Sequence, residues 1–367
     1  MFGSNRFFQL ILLSAVLISF SACEDSSSTS PADVRQSEFV FSHNIEVGAQ
    51  PSSVFYDNVR NVFHVFCLGI DNNFNRVFEA DSGDVKGSWW IITDGTNPVK
   101  ARDFDEFPAF PSRPAFLPED NIVYINHGTK IISYDLTNYE VVDNHLTDIA
   151  ARGISGTESL LFVSKLNEYG TPGSVLVYNT HSKQTLQTIE AGISVQQNLY
   201  FPTADNGIGL AVLNEGNWGA EDSKLMLGTV PITGAPEFTI FNVGGMGNHI
   251  AKHEDKIALT ATGSHEIYIV DITNMSVSDA ISVETGGYDG PRESCFANDS
   301  FLFVTTYAGD LRKININNSK VEKTLPLSGK GEGLCIHDKY MLVANSLNAS
   351  YQAINTITVF ELKAVAE

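Results

Sequence analysis

The chain has 367 residues, of which 43% are hydrophobic, so it can bury one large core or two modest ones. Its 43 acidic and 23 basic residues give a formal net charge of −20, which repels phosphate backbones and argues against nucleic acid as a partner. The 23 phenylalanines, 12 tyrosines and 29 glycines favour strands and turns over helices.

The N-terminal residues predict an export signal. Met1–Arg6 carries one positive charge, Phe7–Phe20 is apolar, and small residues stand directly before Cys23. This order is typical of a signal peptide covering residues 1–22. Its end resembles a bacterial lipobox, in which Cys23 is lipid-modified and becomes the first residue of the mature chain. Cleavage of an ordinary secretory peptide near Ala22 is the alternative.

Residues 23–37 predict a flexible tether, because they are polar, rich in serine and without periodicity. Glu24 and Asp25 resemble the acidic export signal of Bacteroidota surface lipoproteins. No other stretch is long and apolar enough to span a bilayer, so the lipid is the expected membrane attachment. We therefore expect an outer-membrane protein anchored by its lipid, on the cell surface or on the periplasmic face.

The rest of the chain contains a repeat of about 42 residues. Each unit has about four short apolar strands that are separated by turns rich in aspartate, asparagine and glycine. The seven units cover residues 51–95, 112–146, 151–192, 195–244, 247–286, 290–329 and 331–362. Four-stranded units at this spacing predict an all-β fold, a seven-bladed β-propeller formed by residues 38–367.

The last unit predicts how the ring closes. It ends after Phe360–Leu362, one strand short of a complete blade, whereas residues 38–48 form an extra strand before the first unit. We expect the N-terminal strand to complete the last blade and to remove two exposed sheet edges.

Three cysteines remain after Cys23. Cys295 and Cys335 precede comparable strands in neighbouring repeats, and Cys67 lies in the first repeat. An odd number cannot pair completely within the chain. The apolar surroundings favour buried free thiols, with a Cys295–Cys335 disulfide as the alternative.

The connections between blades, and those between each second and third strand, should gather at one face around the channel mouth. Polar and aromatic residues suited to binding a large, partly apolar ligand lie in or near them: Arg113, Asn126, His127, Arg152, Tyr200, Asn214, Glu215, Asn217, Trp218, Asn248, His249, Arg292, Glu293, Glu332 and Asn345. Arginines can bind carboxylate or phosphate oxygens, amides can pair with polar groups, and Trp218 can cover an apolar face. The alternative is that the arginines and glutamates pair with one another.

Three segments carry a resemblance to a known family. LNEGNWGAEDSKL (213–225), GPRESCFANDSFLFVTTYAGDL and GEGLCIHDKYMLVANS resemble the YVTN-type, surface-layer-like β-propeller lipoproteins of Bacteroidota. Within that group the chain is similar to the cobalamin-capturing lipoproteins of outer-membrane vitamin B12 uptake. The resemblance implies a corrinoid ligand, amide contacts from the asparagines above, and a TonB-dependent transporter as partner.

The sequence is also compatible in principle with zinc binding, with protein or glycan binding, and with catalysis. A zinc-binding propeller would need several of His127, His249, His253 and His265 around one ion, and no HxH, HExxH or CxxC motif occurs. A surface module that binds protein or glycan is a further alternative. The sequence has no GxSxG motif, and turn glycines explain GGMGN (244–248) and GKGEG (329–333) better than phosphate loops do. We therefore expect a binding protein without a cofactor, and no enzyme.

Overall fold

The chain folds into a ring of β-sheets. The computed structural model describes residues 37–109, 113–147, 149–205, 207–231 and 234–364. The predicted leader, Cys23 and the tether up to Gln36 lie outside these residues. Among the residues described, no helix has the length and apolar character needed to cross a membrane.

Seven antiparallel sheets, numbered here as blades 1 to 7, are formed by the described residues. The chain begins with β1 (Ser37–Glu46). Blade 1 then contains β2 (Pro51–Asp57), β3 (Val62–Cys67), β4 (Ser88–Thr93) and β5 (Asn97–Asp103). Blade 2 contains β6 (Ala115–Leu117), β7 (Ile122–Asn126), β8 (Lys130–Asp135) and β9 (Val141–Thr147). Blade 3 contains β10 (Ala151–Gly156), β11 (Leu160–Lys165), β12 (Pro172–Asn179) and β13 (Gln184–Ile193).

The second half of the ring follows the same plan. Blade 4 contains β14 (Val195–Pro202), β15 (Ile208–Asn214), β16 (Lys224–Thr229) and β17 (Glu237–Asn242). Blade 5 contains β18 (Gly247–His253), β19 (Lys256–Ala261), β20 (Glu266–Asp271), β21 (Ser276–Val277) and β22 (Ile281–Ser282). Blade 6 contains β23 (Pro291–Asn298), β24 (Phe301–Thr306), β25 (Asp310–Asn315) and β26 (Lys320–Pro326). Blade 7 contains β27 (Lys330–His337), β28 (Tyr340–Leu347), β29 (Ala353–Ala364) and the N-terminal β1. Two short 3-10 helices cover Ala80–Ser82 and Pro118–Asp120.

The strand order confirms the predicted closure of the ring. Blade 7 has the order β1-β29-β28-β27, so the N-terminal strand is its outer strand. Phe39 of β1 packs edge-on against Phe303 of blade 6 with ring centroids 5.6 Å apart. The residues from Glu38 to Lys363 form one compact unit. The seven-bladed propeller predicted from the repeats is therefore confirmed.

The largest error in the predicted boundaries is in the first repeat; smaller ones include Ser37, predicted in the tether but the first residue of β1. The first repeat was expected to end at residue 95, but the fourth strand of blade 1, β5, extends from Asn97 to Asp103. All its side chains are exposed or half-buried because it is the outer strand of its blade. Such a strand shows little hydrophobic alternation, so the sequence pattern does not mark it.

The hydrophobic core is divided into clusters that lie between neighbouring blades. Blade 3 contributes Phe162 and Val175 to a cluster that blade 4 completes with Leu210 and Val212. The joint between blade 7 and blade 1 is built in the same way, with Leu342 facing the first blade. Each sheet therefore buries both faces, which explains why the second strands read as almost continuous apolar runs.

Side chains from one blade cap the inner strand of the next. The first strands of neighbouring blades lie side by side without forming a ladder, which leaves backbone groups to be satisfied. Gln197 Oε1 accepts a hydrogen bond from the N–H of Ile250 at 2.8 Å, and Ser155 Oγ accepts one from the N–H of Tyr200 at 2.8 Å. These contacts fix neighbouring blades in register around the channel.

The three cysteines of the described residues are free thiols. Cys67 is buried, and burial raises its pKa to about 12. Cys295 and Cys335 are half-buried and occupy equivalent positions in β23 and β27, as the repeat predicts.

Candidate functional site

One end of the ring, here called the loop face, carries the connections between blades and those between each second and third strand. Because every blade is antiparallel and starts at its inner strand, these connections emerge at the same end. Arg152 and Arg292 lie at the starts of inner strands, and Trp218 lies in the connection between β15 and β16. The strand order therefore places these three residues at the same end of the ring, as predicted.

Arg113 reaches across the mouth of the channel. It precedes the inner strand of blade 2, and its guanidinium donates Nη2–H to Asn248 Oδ1 of blade 5 at 2.9 Å and Nη1–H to the Asn248 carbonyl. Burial lowers the pKa of Arg113 to about 10, an effect that Glu293 and Glu332 oppose. The arginine therefore stays charged at neutral pH and links blades 2 and 5 across the mouth.

Arg292 and Glu332 form a buried ion pair between blades 6 and 7. The guanidinium Nη2 lies 3.2 Å from Glu332 Oε1, and the exposed fractions of the two side chains are 12% and 4%. The guanidinium also lies over the ring of Tyr307, 4.5 Å from its centroid, and the Tyr307 hydroxyl donates to Glu332. Burial and then the Glu332 carboxylate hold the pKa of Tyr307 well above its usual range, so the phenol remains a donor.

His249 and Glu293 form a second pair at the mouth. His249 Nδ1 accepts a hydrogen bond from the N–H of Ser294 at 3.2 Å, so Nε2, 3.0 Å from Glu293 Oε1, carries the proton. Burial lowers the pKa of His249 despite the opposing effect of Glu293. The imidazole is therefore a neutral link between blades 5 and 6.

Glu215 has its own partners at the blade 4 side of the mouth. Its carboxylate accepts hydrogen bonds from the Tyr169 hydroxyl and from the Gln196 amide. Arg152 lies close enough that Glu215 opposes the lowering of its pKa by burial. Asn217, in the same connection, donates its backbone N–H and its amide to Asp222 at 2.8 and 2.6 Å.

The structure thus brings together six of the predicted site residues as charge partners. Three arginines and three glutamates gather at the mouth: Arg113, Arg152, Arg292, Glu215, Glu293 and Glu332. Their formal charges cancel, and the Arg292–Glu332 contact agrees with the alternative in which these residues pair with one another. The charged side chains of the mouth therefore have partners within the protein.

Three of the predicted asparagines are buried inside the ring instead of facing a ligand. Asn126, Asn214 and Asn345 end or nearly end second strands, but they are at most 1% exposed. Asn126 donates to the carbonyl of Ala151 in the next blade, and Asn345 donates to Thr358 Oγ1 at 2.9 Å. The amides of Asn126 and Asn345 therefore connect strands inside the ring, whereas the Asn214 amide is buried without a hydrogen-bond partner among the described residues. The expectation that the three face a ligand is corrected by their burial.

His127 and Tyr200 also lie away from the loop-face surface. His127 is buried, donates Nδ1–H to the Glu106 carbonyl at 2.9 Å and accepts from the Tyr134 hydroxyl at 2.9 Å. Tyr200 stacks on Phe162 with ring centroids 5.8 Å apart, inside the joint of blades 3 and 4. Tyr200 lies farther along its strand, away from the loop face. Contrary to the expectation, it is therefore not beside Trp218.

Exposed aromatic side chains are concentrated on the loop face. Five of them, here called the aromatic crown, lie in its connections: Phe74, Tyr169, Trp218, Tyr288 and Tyr351. Trp218 is 66% exposed and Tyr288 is 79% exposed. Among the described residues, Phe41 on β1 is the other strongly exposed aromatic. Of these five, only Trp218 was a predicted site residue. The sequence could have pointed to the other four, because each is an aromatic residue in an otherwise polar connection.

A cleft of about 220 Å³ opens on the loop face between blades 6 and 7. Its lining residues are Tyr307, Ala308, Gly309, Leu327, Ser328, Gly329, Lys330 and Ala349. Sequence reasoning missed Lys330, which stands beside the glycines of the GKGEG segment. An apolar hole of about 10 Å³ between blades 3 and 4 is too small for a ligand.

The histidines considered for zinc do not converge. His249 contacts Glu293, and His265 Nδ1 lies 3.0 Å from Thr285 Oγ1. His253, with Glu254 and Asp299, forms the one group of possible metal ligands among the described residues, in turns at the end opposite the loop face. Lys256 Nζ lies 3.6 Å from Asp299 Oδ1 and competes with a cation there.

Comparison with known proteins defines the fold. No protein-family model matches the sequence, and no curated protein matches it. Many solved structures match by shape. One is described as the crystal structure of the WD40 beta propeller domain of Doa1, with a TM-score of 0.61, 11% identity, and coverage of 89% of this chain and 97% of that one. At this identity the similarity establishes a β-propeller fold.

Proposed function

We propose that the protein is an exported, lipid-anchored binding protein whose loop face captures a small nutrient molecule and passes it to an outer-membrane transporter. The supporting observation is the aromatic crown around a mouth whose charged side chains have partners within the protein. Exposed aromatic rings are costly in water and are enriched where proteins bind other molecules. Their concentration at one end of the ring makes that end the binding surface.

The chemistry of the face suits a broad ligand with many neutral polar groups. The arginines and glutamates of the mouth have internal partners, so the mouth itself offers little net charge to an ionic ligand. Trp218 and Tyr351 offer flat apolar surfaces, and the amide of Asn217 lies beside Trp218 in the chain. A corrinoid, which carries many amides on a large ring, matches these properties and would lie across the face, since the 220 Å³ cleft cannot enclose it.

Calorimetric titration with cyanocobalamin tests the proposal. Trp218→Ala should weaken binding about tenfold, because a buried aromatic contact contributes about 1 to 2 kcal/mol. Phe41→Ala is the matched control, since Phe41 is a similarly exposed aromatic on the outer strand β1. Absence of cyanocobalamin binding by the wild-type protein, or equal affinity of the Trp218 variant, would contradict the corrinoid assignment.

The same crown favours one other function, a surface module that binds protein or glycan. Tryptophan and tyrosine dominate the energetics of protein interfaces. A glycan or protein ligand whose binding is lost with Trp218→Ala, in a protein that ignores cyanocobalamin, would support this second function.

The lipid anchor is tested separately from the ligand. Cys23→Ala removes the only thiol that the lipobox-like sequence can modify, so the variant should move from the membrane fraction to the soluble fraction. Cys67→Ala serves as the control, because Cys67 lies inside blade 1. Equal membrane association of wild type and Cys23→Ala would contradict anchoring at Cys23.

A further inference from the structure

The cleft between blades 6 and 7 has one cationic side chain in its lining, Lys330. Lys330 is the first residue of β27 and is 7% exposed. Its ammonium donates to the Tyr307 carbonyl at 2.5 Å and lies 4.2 Å from the centroid of the Tyr351 ring. The backbone and the ring hold the ammonium at one position in the wall.

The ammonium forms an ion pair with Asp289 but makes no hydrogen bond to a carboxylate among the described residues. The nearest carboxylate oxygen among the described residues, Asp289 Oδ1, is 3.7 Å away, beyond hydrogen-bond distance. An ammonium has three N–H donors, of which the Tyr307 carbonyl accepts one. Glu332, the other carboxylate nearby, already accepts from Arg292 and Tyr307. Lys330 therefore retains donor capacity for a bound anion.

The remaining walls suit a hydroxylated ring. Tyr307 lines the cleft, whereas Tyr351 is not a lining residue and lies beside the cleft through its contact with Lys330. The two rings are nearly perpendicular, with centroids 6.3 Å apart, and Tyr351 is half exposed. Ser328 and the backbone at Gly309 and Gly329 add polar groups with little side-chain bulk. Aromatic faces pack against the C–H faces of sugars, while hydroxyl and peptide groups bind their hydroxyls.

Tyr351 is held in place although its backbone is unfavourable. Its φ of 59° lies in the left-handed region, which a tyrosine seldom adopts. The turn is closed by the hydrogen bond from the Tyr351 N–H to the Asn348 carbonyl at 3.0 Å, and Asn348 Oδ1 accepts from Gln352 N–H at 3.0 Å. The connection thus positions the ring beside Lys330 before any ligand arrives.

We propose that this cleft binds a sugar acid or sugar phosphate, with Lys330 pairing its oxyanion and Tyr351 contacting its ring. The shared chemistry is a hydroxylated ring of pyranose size that carries one anionic group. The site does not depend on the corrinoid assignment, because the ligand enters the cleft itself. The overall charge of −20 is screened beyond about 8 Å at physiological salt, so the groups beside the cleft, Lys330 and its ion-pair partner Asp289, govern binding.

NMR titration of the folded protein with three probes tests the proposal: glucuronate, glucose 6-phosphate and glucose. We expect at least one of the two anionic sugars to bind at least tenfold more tightly than glucose, and the tighter of the two identifies the oxyanion as carboxylate or phosphate. Lys330→Met should weaken the tighter anionic sugar about tenfold, the usual value of one charge-assisted hydrogen bond. Equal affinity for all three probes, or no binding of either anionic sugar, would overturn the proposal.

Two further variants test whether a loss of binding is specific to Lys330 and to the cleft. Lys313→Met is the matched control, because Lys313 also lies over an aromatic ring, 4.0 Å from the centroid of Phe301, but outside the cleft. Ala349→Trp fills the cleft at an exposed position and leaves Lys330 in place. It should abolish binding of the anionic sugar even if Lys330→Met fails to fold. Unchanged binding in Ala349→Trp would place the sugar elsewhere and refute the site.

Discussion

Arg113 and Asn248 are 135 residues apart in sequence, and their side chains hydrogen-bond across the channel, with Arg113 Nη2 2.9 Å from Asn248 Oδ1. They belong to blades 2 and 5, which are three places apart in the ring of seven. Asn248 in turn donates Nδ2–H to the Arg292 carbonyl of blade 6 at 3.1 Å. One side chain thus links opposite parts of the ring that otherwise contact only their neighbours.

Replacing Arg113 with methionine should lower the free energy of unfolding by about 2 to 3 kcal/mol, because Asn248 then loses two charge-assisted bonds inside the mouth. Urea unfolding followed by circular dichroism measures the change. Arg312→Met is the control, since Arg312 pairs with Asp310 of its own strand, Nη2 to Oδ2 at 2.8 Å, and should cost about 1 kcal/mol. Equal costs for the two variants would show that the bond across the channel adds no stability.

The contributions of Arg292 and Glu332 to the free energy of unfolding should be strongly coupled. Glu332→Leu leaves a buried guanidinium without its carboxylate and should cost about 3 to 5 kcal/mol. The double variant Arg292→Met/Glu332→Leu should be more stable than Glu332→Leu alone, because it removes the uncompensated charge. A double-mutant cycle from urea unfolding measures the coupling, and strictly additive costs would contradict it. Arg292→Ala is therefore expected to lower the free energy of unfolding, because it leaves the Glu332 carboxylate buried without its guanidinium partner.

The ring of blades could be predicted from the sequence because its signals are local. Each second strand is an apolar run, as in Leu302–Val304, and the turns repeat a local motif. Asp57, Asp135 and Asp271 each end a strand and accept hydrogen bonds from the N–H groups two and three residues later, at 2.7 to 3.0 Å. Short-range hydrogen bonds of this kind leave a visible pattern of residue types.

The directions of the site side chains could not be predicted in the same way. Asn126 ends a buried strand and Trp218 follows one, yet Asn126 is buried against Ala151 of the next blade and Trp218 is exposed. The difference depends on how the neighbouring blade packs, which a single repeat does not encode. The four unpredicted aromatics of the crown lie in connections that the sequence already placed at one end of the ring, but their exposure depends on how the whole ring packs.

Two buried histidines predict how stability depends on pH. Burial lowers the pKa of His64 and of His127 to about 4, from an ordinary value near 6.5. Between these values the unfolded chain binds more protons than the folded chain, so stability falls as pH decreases from 6.5 to 4. Each histidine should contribute roughly 3 kcal/mol to this loss, at about 1.36 kcal/mol per pH unit.

His127→Gln tests this origin, because glutamine can still donate to the Glu106 carbonyl and accept from Tyr134 without titrating. The loss of stability between pH 6.5 and 4 should shrink by roughly 3 kcal/mol in this variant. His181→Gln, at an exposed position, should leave the loss unchanged. Identical pH profiles for His127→Gln and the wild type would show that His127 is not the group responsible.

The N-terminal strand should be required for the ring to remain closed. β1 covers the edge of β29, and its Phe39 and Ile45 are buried in the clusters at the two joints of blade 7. A chain that begins at Val47 loses these contacts and exposes both an apolar surface and an unpaired strand edge. We expect this chain to aggregate or to unfold at a much lower temperature than a chain that begins at Ser37.

Size-exclusion chromatography and thermal unfolding of the two truncated chains measure the effect. The Ser37 chain is the control, because it retains the whole of β1 and lacks the predicted leader and tether. Addition of a peptide with the sequence of residues 37–46 should restore monomeric behaviour to the Val47 chain, since backbone pairing along β29 supplies most of the contact. If the Val47 chain is instead monomeric with an unchanged midpoint, the six other blades hold the ring closed by themselves and β1 is not the fastening strand.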